Sequence, residues 1–318
     1  MLAYASRRLA MLGLTLLAAS MLIFLVTSVL PGNVGRIMLG PFAPQDAVDT
    51  LNRQLGLDRP VAERYLGWLL AVLRGDWGRS LHFGAPVLPL VLERLGRSLL
   101  LAGVALAILL PAAIGAGVHA ARREGGFFDQ TVTLLALSVR ALPEFVTGVL
   151  LIVVFGIELG WLPVQALAPD DAGPAEVLRH LVMPALCLVL VLFAYVFRMA
   201  RAGVIEALAA DWTRTARLKG LPPRVVVFRH VLRNALLPTI AVAGAQIGWL
   251  VGGLVVVETL FRYPGIGTLI QFAATAKDLP LLVGCAVAIT AVFALGNLLA
   301  DLLAATLDPR IRHGRARD

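Results

Sequence analysis

The amino-acid sequence predicts an all-α integral membrane protein with six transmembrane helices, and two observations predict it. Of its 318 residues, 59% are hydrophobic and only 15% are charged, with a mean hydropathy of +0.84. A soluble chain of this length could bury a large core, but it would also need a polar coat that so few charges cannot supply. The charges are segregated as well. They cluster between six long apolar runs, the pattern of a chain that crosses a bilayer repeatedly.

The first run extends from Leu9 to Leu30 without a charge. Arg7 and Arg8 ahead of it invite a signal-peptide reading, but a signal h-region is only about 7–15 residues long and ends at a small-residue cleavage site. This run is longer and ends in Leu30-Pro31-Gly32-Asn33, so a retained anchor is expected. The other runs cover residues 98–121, 130–157, 181–197, 235–257 and 279–300. Each is near or above the ~20 residues that a helix rising 1.5 Å per residue needs to cross ~30 Å of hydrocarbon. Pro111, Pro143, Pro184, Gly244 and Gly248 fall inside them. Spanning helices tolerate such residues because neighbouring helices re-satisfy the freed backbone groups.

The basic residues orient the chain. Arg7 and Arg8 precede the first run, Arg122 and Arg123 follow the second, eight Lys or Arg lie between Arg198 and Arg233, and Arg310, Arg312, Arg315 and Arg317 end the sequence. With six spans all of these fall on one side, which the positive-inside rule makes the cytoplasm, so both termini are expected there. The stretch from Pro31 to Arg97 carries eight Arg on the other side, but loops of that length translocate largely regardless of charge. The sequence pI of about 10.4 reflects this sorting, and no nucleic-acid partner is expected.

Catalytic and metal chemistry find no foothold. Cys187 and Cys285 both lie in apolar runs, and His82, His119, His180, His230 and His313 are scattered without ligand spacing. Phosphate-loop, nucleophile-elbow and H-E-x-x-H motifs are missing. No catalytic residue, metal site or cofactor is expected, and no enzyme.

The most informative segment runs from Arg198 to Pro238. Asp211 is placed to N-cap a short helix from Trp212 to Lys219. Gly220 suits the left-handed position that would end it, and Pro222 and Pro223 forbid continuation. Ala216 is small enough to let another surface approach closely, while Arg214, Arg217 and Lys219 place positive charge where the helix dipole favours it. A two-turn helix is marginal alone in water, so either the rest of the chain or a partner must hold it.

The run Asp211-Trp212-Thr213-Arg214-Thr215-Ala216-Arg217-Leu218-Lys219-Gly220-Leu221, followed by His230-Val231-Leu232-Arg233-Asn234-Ala235-Leu236-Leu237-Pro238, resembles the coupling loop of ABC importer permeases. It is most similar to the first permease of the dipeptide, oligopeptide and nickel branch. Leu55-Gly56-Leu57-Asp58-Arg59-Pro60, Gly75-Asp76-Trp77-Gly78-Arg79-Ser80, Glu258-Thr259-Leu260-Phe261 with Tyr263-Pro264-Gly265-Ile266-Gly267, and Asp308-Pro309-Arg310-Ile311-Arg312 extend the resemblance over nearly the whole chain. Trp212, where the branch usually has Tyr, and Leu218, where a small residue is common, depart from it.

The resemblance implies a type I ABC importer transmembrane domain in a bacterial inner membrane, translocating di- and oligopeptides. It divides the chain into a first helix with an extracytoplasmic segment (1–97), a five-helix core (98–307) with a coupling loop at about 204–234, and a cytoplasmic tail (308–318). It also implies partners: a second homologous permease, two ATPase subunits, an extracytoplasmic binding protein and membrane lipid. ATP would be hydrolysed in the separate ATPases, and Glu206, Ala207, Asp211, Thr215, Ala216, Lys219 and Gly220 would form the contact with them. Nickel chelates and glutathione are alternative cargoes of the same branch. An ion-coupled secondary transporter is an alternative of another class, although no internal repeat supports it.

Ionisable residues inside spans are costly and are functional candidates by default. Arg140 and Glu144 stand one helical turn apart around Pro143, so the three residues could line a pathway or the two charges could pair with each other. Glu258 and Asp301 sit at run ends, where interfacial solvation is expected, and Arg198 and Arg201 are expected to snorkel to the surface.

Overall fold

The computed structural model describes residues 2–29, 34–40, 42–54, 56, 58–169, 171–232, 235–236, 239, 250 and 254–307. Among these, the chain is helical. Helix α1 (Leu2–Val29) is followed by three short helices, α2 (Val34–Leu39), α3 (Gln45–Gln54) and α4 (Val61–Leu73). Then come α5 (Val87–Arg122), α6 (Phe127–Ala141) and α7 (Glu144–Leu151), which continues as a π-helix over Ile152–Glu158. α8 (Pro174–Ala209), α9 (Asp211–Leu218) and α10 (Pro223–Val225, continued by a π-helix over Val226–Val231) lead to α11 (Ile266–Thr275) and α12 (Leu279–Leu307).

Among the described residues, four helices are long and apolar enough to cross a membrane: Ser6–Thr27 within α1, α5, α8 and Leu279–Leu303 within α12. The expected third span is not one continuous helix. α6 and the segment Glu144–Glu158 are bent by 105°. The cause is local: Leu142 precedes a proline, which disfavours helical backbone there, and it is extended (φ −77°, ψ 137°) before Pro143 opens α7. The fourth run was expected to end near Phe197, but α8 continues to Ala209 and carries the chain beyond the apolar stretch. Most of the expected fifth span, 235–257, lies outside the described residues.

Taken as one span the bent pair would be the fifth among the described residues, and contacts along α5 mark the levels that this part of the chain runs between. At one level, Gly117 lies so close to α8 that a Cβ there would sit 2.9 Å from Ala200 Cβ, and the next residue, Arg201, grips Asp129 in the first turn of α6. At another level, the Ala166 N–H donates to Phe261 O (2.9 Å), and Tyr263 Oη donates to Arg97 O (2.9 Å). Arg97 and Gly117 are separated on α5 by twenty residues, about 30 Å of helix. The segment from Asp129 to Ala166 therefore connects levels a bilayer apart.

The ends of the bundle can be matched in the same way. Gly284, early in α12, packs against Val87 at the start of α5. Near the far end of α12, Asp301 pairs with Arg8 of α1 at 2.9 Å. The start of α1 and the ends of α5, α8 and α12 thus share one end, here called basal, while the starts of α5, α8 and α12 form the apical end. Between them α5 and α8 make the principal packing pair, with Leu101, Leu109, Leu181, Met183, Leu188 and Phe197 buried in its core. Small residues at the crossing let the two backbones approach.

Candidate functional site

α9 hangs from the basal end of α8 by a single extended residue, Ala210 (φ −68°, ψ 147°). Asp211 is therefore the first residue of the helix and not its cap; its carboxylate still favours the positive end of the helix dipole. The other end matches expectation. Gly220 adopts φ +74°, its N–H donates to Arg217 O (3.0 Å), and Pro222 and Pro223 follow at once.

The rest of the chain holds this short helix by one face. Thr213, fully buried, donates its hydroxyl to Ala207 O at 2.6 Å. Three residues on, Ala216 is only 5% exposed and belongs to a small apolar cluster with Ala121, Val204, Ala207, Val226, Val231 and Ala235. The small residue expected to admit a partner thus admits α5, α8 and α10 of its own chain. The rest of the helix surface is open: Trp212 is 40% and Leu218 80% exposed, among Arg214, Thr215, Arg217 and Lys219. Of the expected contact residues, Glu206, Asp211, Thr215, Lys219 and Gly220 lie on the surface, whereas Ala207 and Ala216 are buried.

A clamp stands beside this attachment. Asp129, almost wholly buried, takes two hydrogen bonds from Arg201, at 2.6 and 2.7 Å, and a third from the Gly125 N–H at 2.9 Å. Glu124 lies 3.7 Å from the same guanidinium. Arg201 does not snorkel to solvent, because this carboxylate, 72 residues earlier, captures it in a bidentate fork.

Arg140, Pro143 and Glu144 flank the bend. Arg140 and Glu144 do not pair among the described residues, because the break at Leu142–Pro143 removes the helical turn that would have brought them together. The Arg140 guanidinium lies 5.6 Å over the ring of Tyr195 on α8 instead, and the Cys187 thiol donates to the Glu144 carbonyl at 3.5 Å.

Two family models match the chain: the inner membrane component of binding-protein-dependent transport systems over residues 113–313, and the N-terminal part of the membrane component of such systems over residues 1–96. The chain belongs to this family. It is 38% identical over 319 residues to a putative peptide permease of Brucella suis, covering 98% of this chain and 99% of that protein. A probable peptide ABC transporter permease of Sinorhizobium fredii is 34% identical over 310 residues, covering 98% and 99%. A di/tripeptide transport system permease of Pseudomonas aeruginosa is 34% identical over 344 residues, covering 99% and 100%. The protein is a multi-pass inner membrane permease and a transport component.

The permease has a second built site, at its apical end. Glu258 was expected to be solvated, yet it has no exposed surface. Its carboxylate accepts hydrogen bonds from Ser98 Oγ on α5 and from the Thr268 N–H at 3.0 Å. Ser98 Oγ in turn accepts from the Ile266 N–H at 2.8 Å, so the two side chains together satisfy the open amino end of α11. Gly265 is required by space: a Cβ there would lie 2.0 Å from the Glu258 carboxylate. Burial pushes the Glu258 carboxyl above the usual carboxylate range, against the pull of these donors, and burial also pushes the Tyr263 phenol up to about 12. Thr213, Asp129, Ser98 and this role of Glu258 escaped sequence reasoning. The available signal was an acid placed directly after an apolar run and just before Tyr263-Pro264-Gly265.

Proposed function

We propose that this permease carries di- and oligopeptides inward, as one of two homologous permeases above a pair of ATPases, with peptide delivered by an extracytoplasmic binding protein. The observation that carries the reading is the geometry of α9, a helix fastened to its own chain by Thr213 and Ala216 while Trp212 and Leu218 face outward. The relatives described as peptide permeases, matched over nearly their full length, support the cargo. The basal end, where Arg7, Arg8, Arg122, Arg123 and the α9 region gather, is assigned to the cytoplasm. The run 235–257 is assigned as the fifth span, which brings the total to six. Residues 1–97, 98–307 and 308–318 then act as anchor with external segment, core and tail.

In this mechanism the exposed face of α9, with Thr215, Lys219 and the Gly220 turn, docks into an ATPase. Movement of the ATPases displaces α9, which draws α8 through Ala210 and α6 through the Arg201–Asp129 clamp. The crossing bent at Pro143 shifts with them, and Arg140 and Glu144 at the bend line the pathway. This is switching between two packed arrangements, without bond chemistry in the chain itself.

The test is ATP hydrolysis by the purified complex. Addition of peptide-loaded binding protein should raise it, while stimulation by nickel chelate or glutathione alone would keep the machinery and change the cargo. Peptide uptake driven by an ion gradient without ATP would overturn the reading in favour of secondary transport.

A further inference from the structure

α4 presents a puzzle of burial. From Tyr65 to Leu73 it reads Tyr-Leu-Gly-Trp-Leu-Leu-Ala-Val-Leu, nine residues with no charge on any face. An amphipathic helix lying on the outer surface of a protein would bury its apolar stripe, yet none of the residues of α4 is buried. Leu66, Leu70 and Leu73 are 57%, 53% and 74% exposed. The described residues supply no apolar cover for them.

The contacts of α4 with α1 fix its depth. The Tyr65 hydroxyl lies 2.9 Å from Ser20 Oγ and 3.4 Å from Leu17 O, and the rings of Tyr65 and Trp68 each stand 5.6 Å from the ring of Phe24. In the apolar stretch Ser6–Thr27 of α1, Phe24, Ser20 and Leu17 lie three, seven and ten residues from the apical end, or about 5, 10 and 15 Å along the axis. α4 is therefore beside the spanning part of α1, not above it. The exposed side chains of α1 over the same stretch are apolar, Leu14, Met21, Leu22 and Val26 among them, so the uncovered leucines of α4 lie at the depth of a surface suited to hydrocarbon. The Tyr65 hydroxyl, which would be costly unpaired in lipid, has found Ser20 and a backbone carbonyl. Glu63 at one end of the run and Arg74 at the other are placed to reach the headgroups, the Arg64 guanidinium lies 5.9 Å over the ring of Phe24, and Trp68 and Tyr65 are the residue types enriched at that boundary.

We infer that α4 is embedded in the bilayer as an interfacial helix within the apical leaflet, with phospholipid acyl chains covering Leu66, Leu70 and Leu73. The external segment is then anchored twice, by α4 in lipid and by the loop at Ser80, whose hydroxyl, with the His82 N–H, is held by Asp278 beside α12. Only the choice of leaflet rests on the proposed topology. Lipid contact itself does not depend on which side is cytoplasmic or on what the permease carries.

The experiment attaches a nitroxide to a single cysteine at Leu66, Leu70 or Leu73. The full-length chain, with the subunits that co-purify with it, is reconstituted in phosphatidylcholine–phosphatidylglycerol vesicles. Collisions with oxygen, which concentrates in hydrocarbon, are compared with collisions with chromium oxalate, which stays in water. At all three positions oxygen access should exceed chromium access, and at Asp46 of polar, exposed α3 the order should reverse. Strong chromium access at 66, 70 and 73 would place α4 in water and overturn the inference. Low access to both reagents would mean that another protein covers the helix, and would overturn it equally. Because the three positions are exposed, the substitutions leave packing intact, and a result at any one of them decides.

Discussion

At the apical end of the permease a carboxylate without exposed surface gathers α5, the turn before α11 and α11 itself. At the basal end an eight-residue helix rests on a patch of Ala and Val side chains, secured by one threonine hydroxyl. The apical site satisfies every donor around Glu258 inside the protein, and buried networks of that kind rigidify what they join. The basal site spends little of its surface on its own chain and leaves Trp212 and Leu218 open. The mechanism proposed above needs both kinds of end: one that keeps its geometry and one that transmits displacement from a partner. In that mechanism the Arg201–Asp129 fork keeps the second kind from being slack, since it ties α8, from which α9 hangs, to the helix pair bent at Pro143.

This contrast can be broken from the apical side most severely. Glu258→Leu would leave the N–H of Thr268 and the hydroxyl of Ser98 without their acceptor, at about 1–3 kcal/mol for each buried group left unpaired. The variant should fail to accumulate in membranes, whereas Glu258→Gln, which keeps an acceptor oxygen, should accumulate and melt at a lower temperature. Normal accumulation of Glu258→Leu would show that the apical site is not a rigid lock.

The clamp comes next. Arg201→Gln strands the buried Asp129 carboxylate, and the loss of charge-assisted bonds costs about 1.5–3 kcal/mol. The double variant Arg201→Gln/Asp129→Asn should recover accumulation, because neutral partners leave no buried charge unpaired. If the clamp transmits movement, that double variant should still hydrolyse ATP but respond less to peptide-loaded binding protein. A full response would reduce the fork to a structural tie.

Gly220→Val should have the smallest effect. Nothing lies within 4 Å of a Cβ built there, so the change strains only the left-handed backbone, by about 1–2 kcal/mol. Accumulation should be normal, and coupling between ATP hydrolysis and peptide delivery should weaken. Gly220→Asn, which tolerates positive φ better, should restore most of it.

The difference between the two ends also explains what could be read in the sequence. Apolar runs are local composition, so the crossings in α1, α5, α8 and α12 were legible, as was the Gly220 turn, which needs only a glycine before two prolines. Pro143 was visible inside the third run but was expected to be tolerated there, and the 105° bend depends on what α8 offers each half, including Tyr195 beneath Arg140. The buried state of Glu258 depends on Ser98, 160 positions earlier, and the capture of Arg201 on Asp129, 72 positions earlier. No window along the chain contains those pairs. For α9 the helical period sets Thr213 and Ala216, three residues apart, on one face, with Trp212 and Leu218 elsewhere on the helix surface. It could not say which face turns inward, because apolar residues stand on more than one.

The most direct measurement of the central claim is thiol reactivity across α9. The native Cys187 and Cys285 are buried, so single cysteines at Ala216 and Leu218 can be labelled with a maleimide against a low background. In the permease stripped of its ATPases, the cysteine at Leu218 should react quickly and the one at Ala216 should not. When the ATPases are restored, labelling at Leu218 should be lost and Ala216 should remain unreactive. Fast labelling at Ala216 that the ATPases suppress, with Leu218 indifferent to them, would show that α9 meets its partner by the face assigned here to its own chain, and would contradict the account.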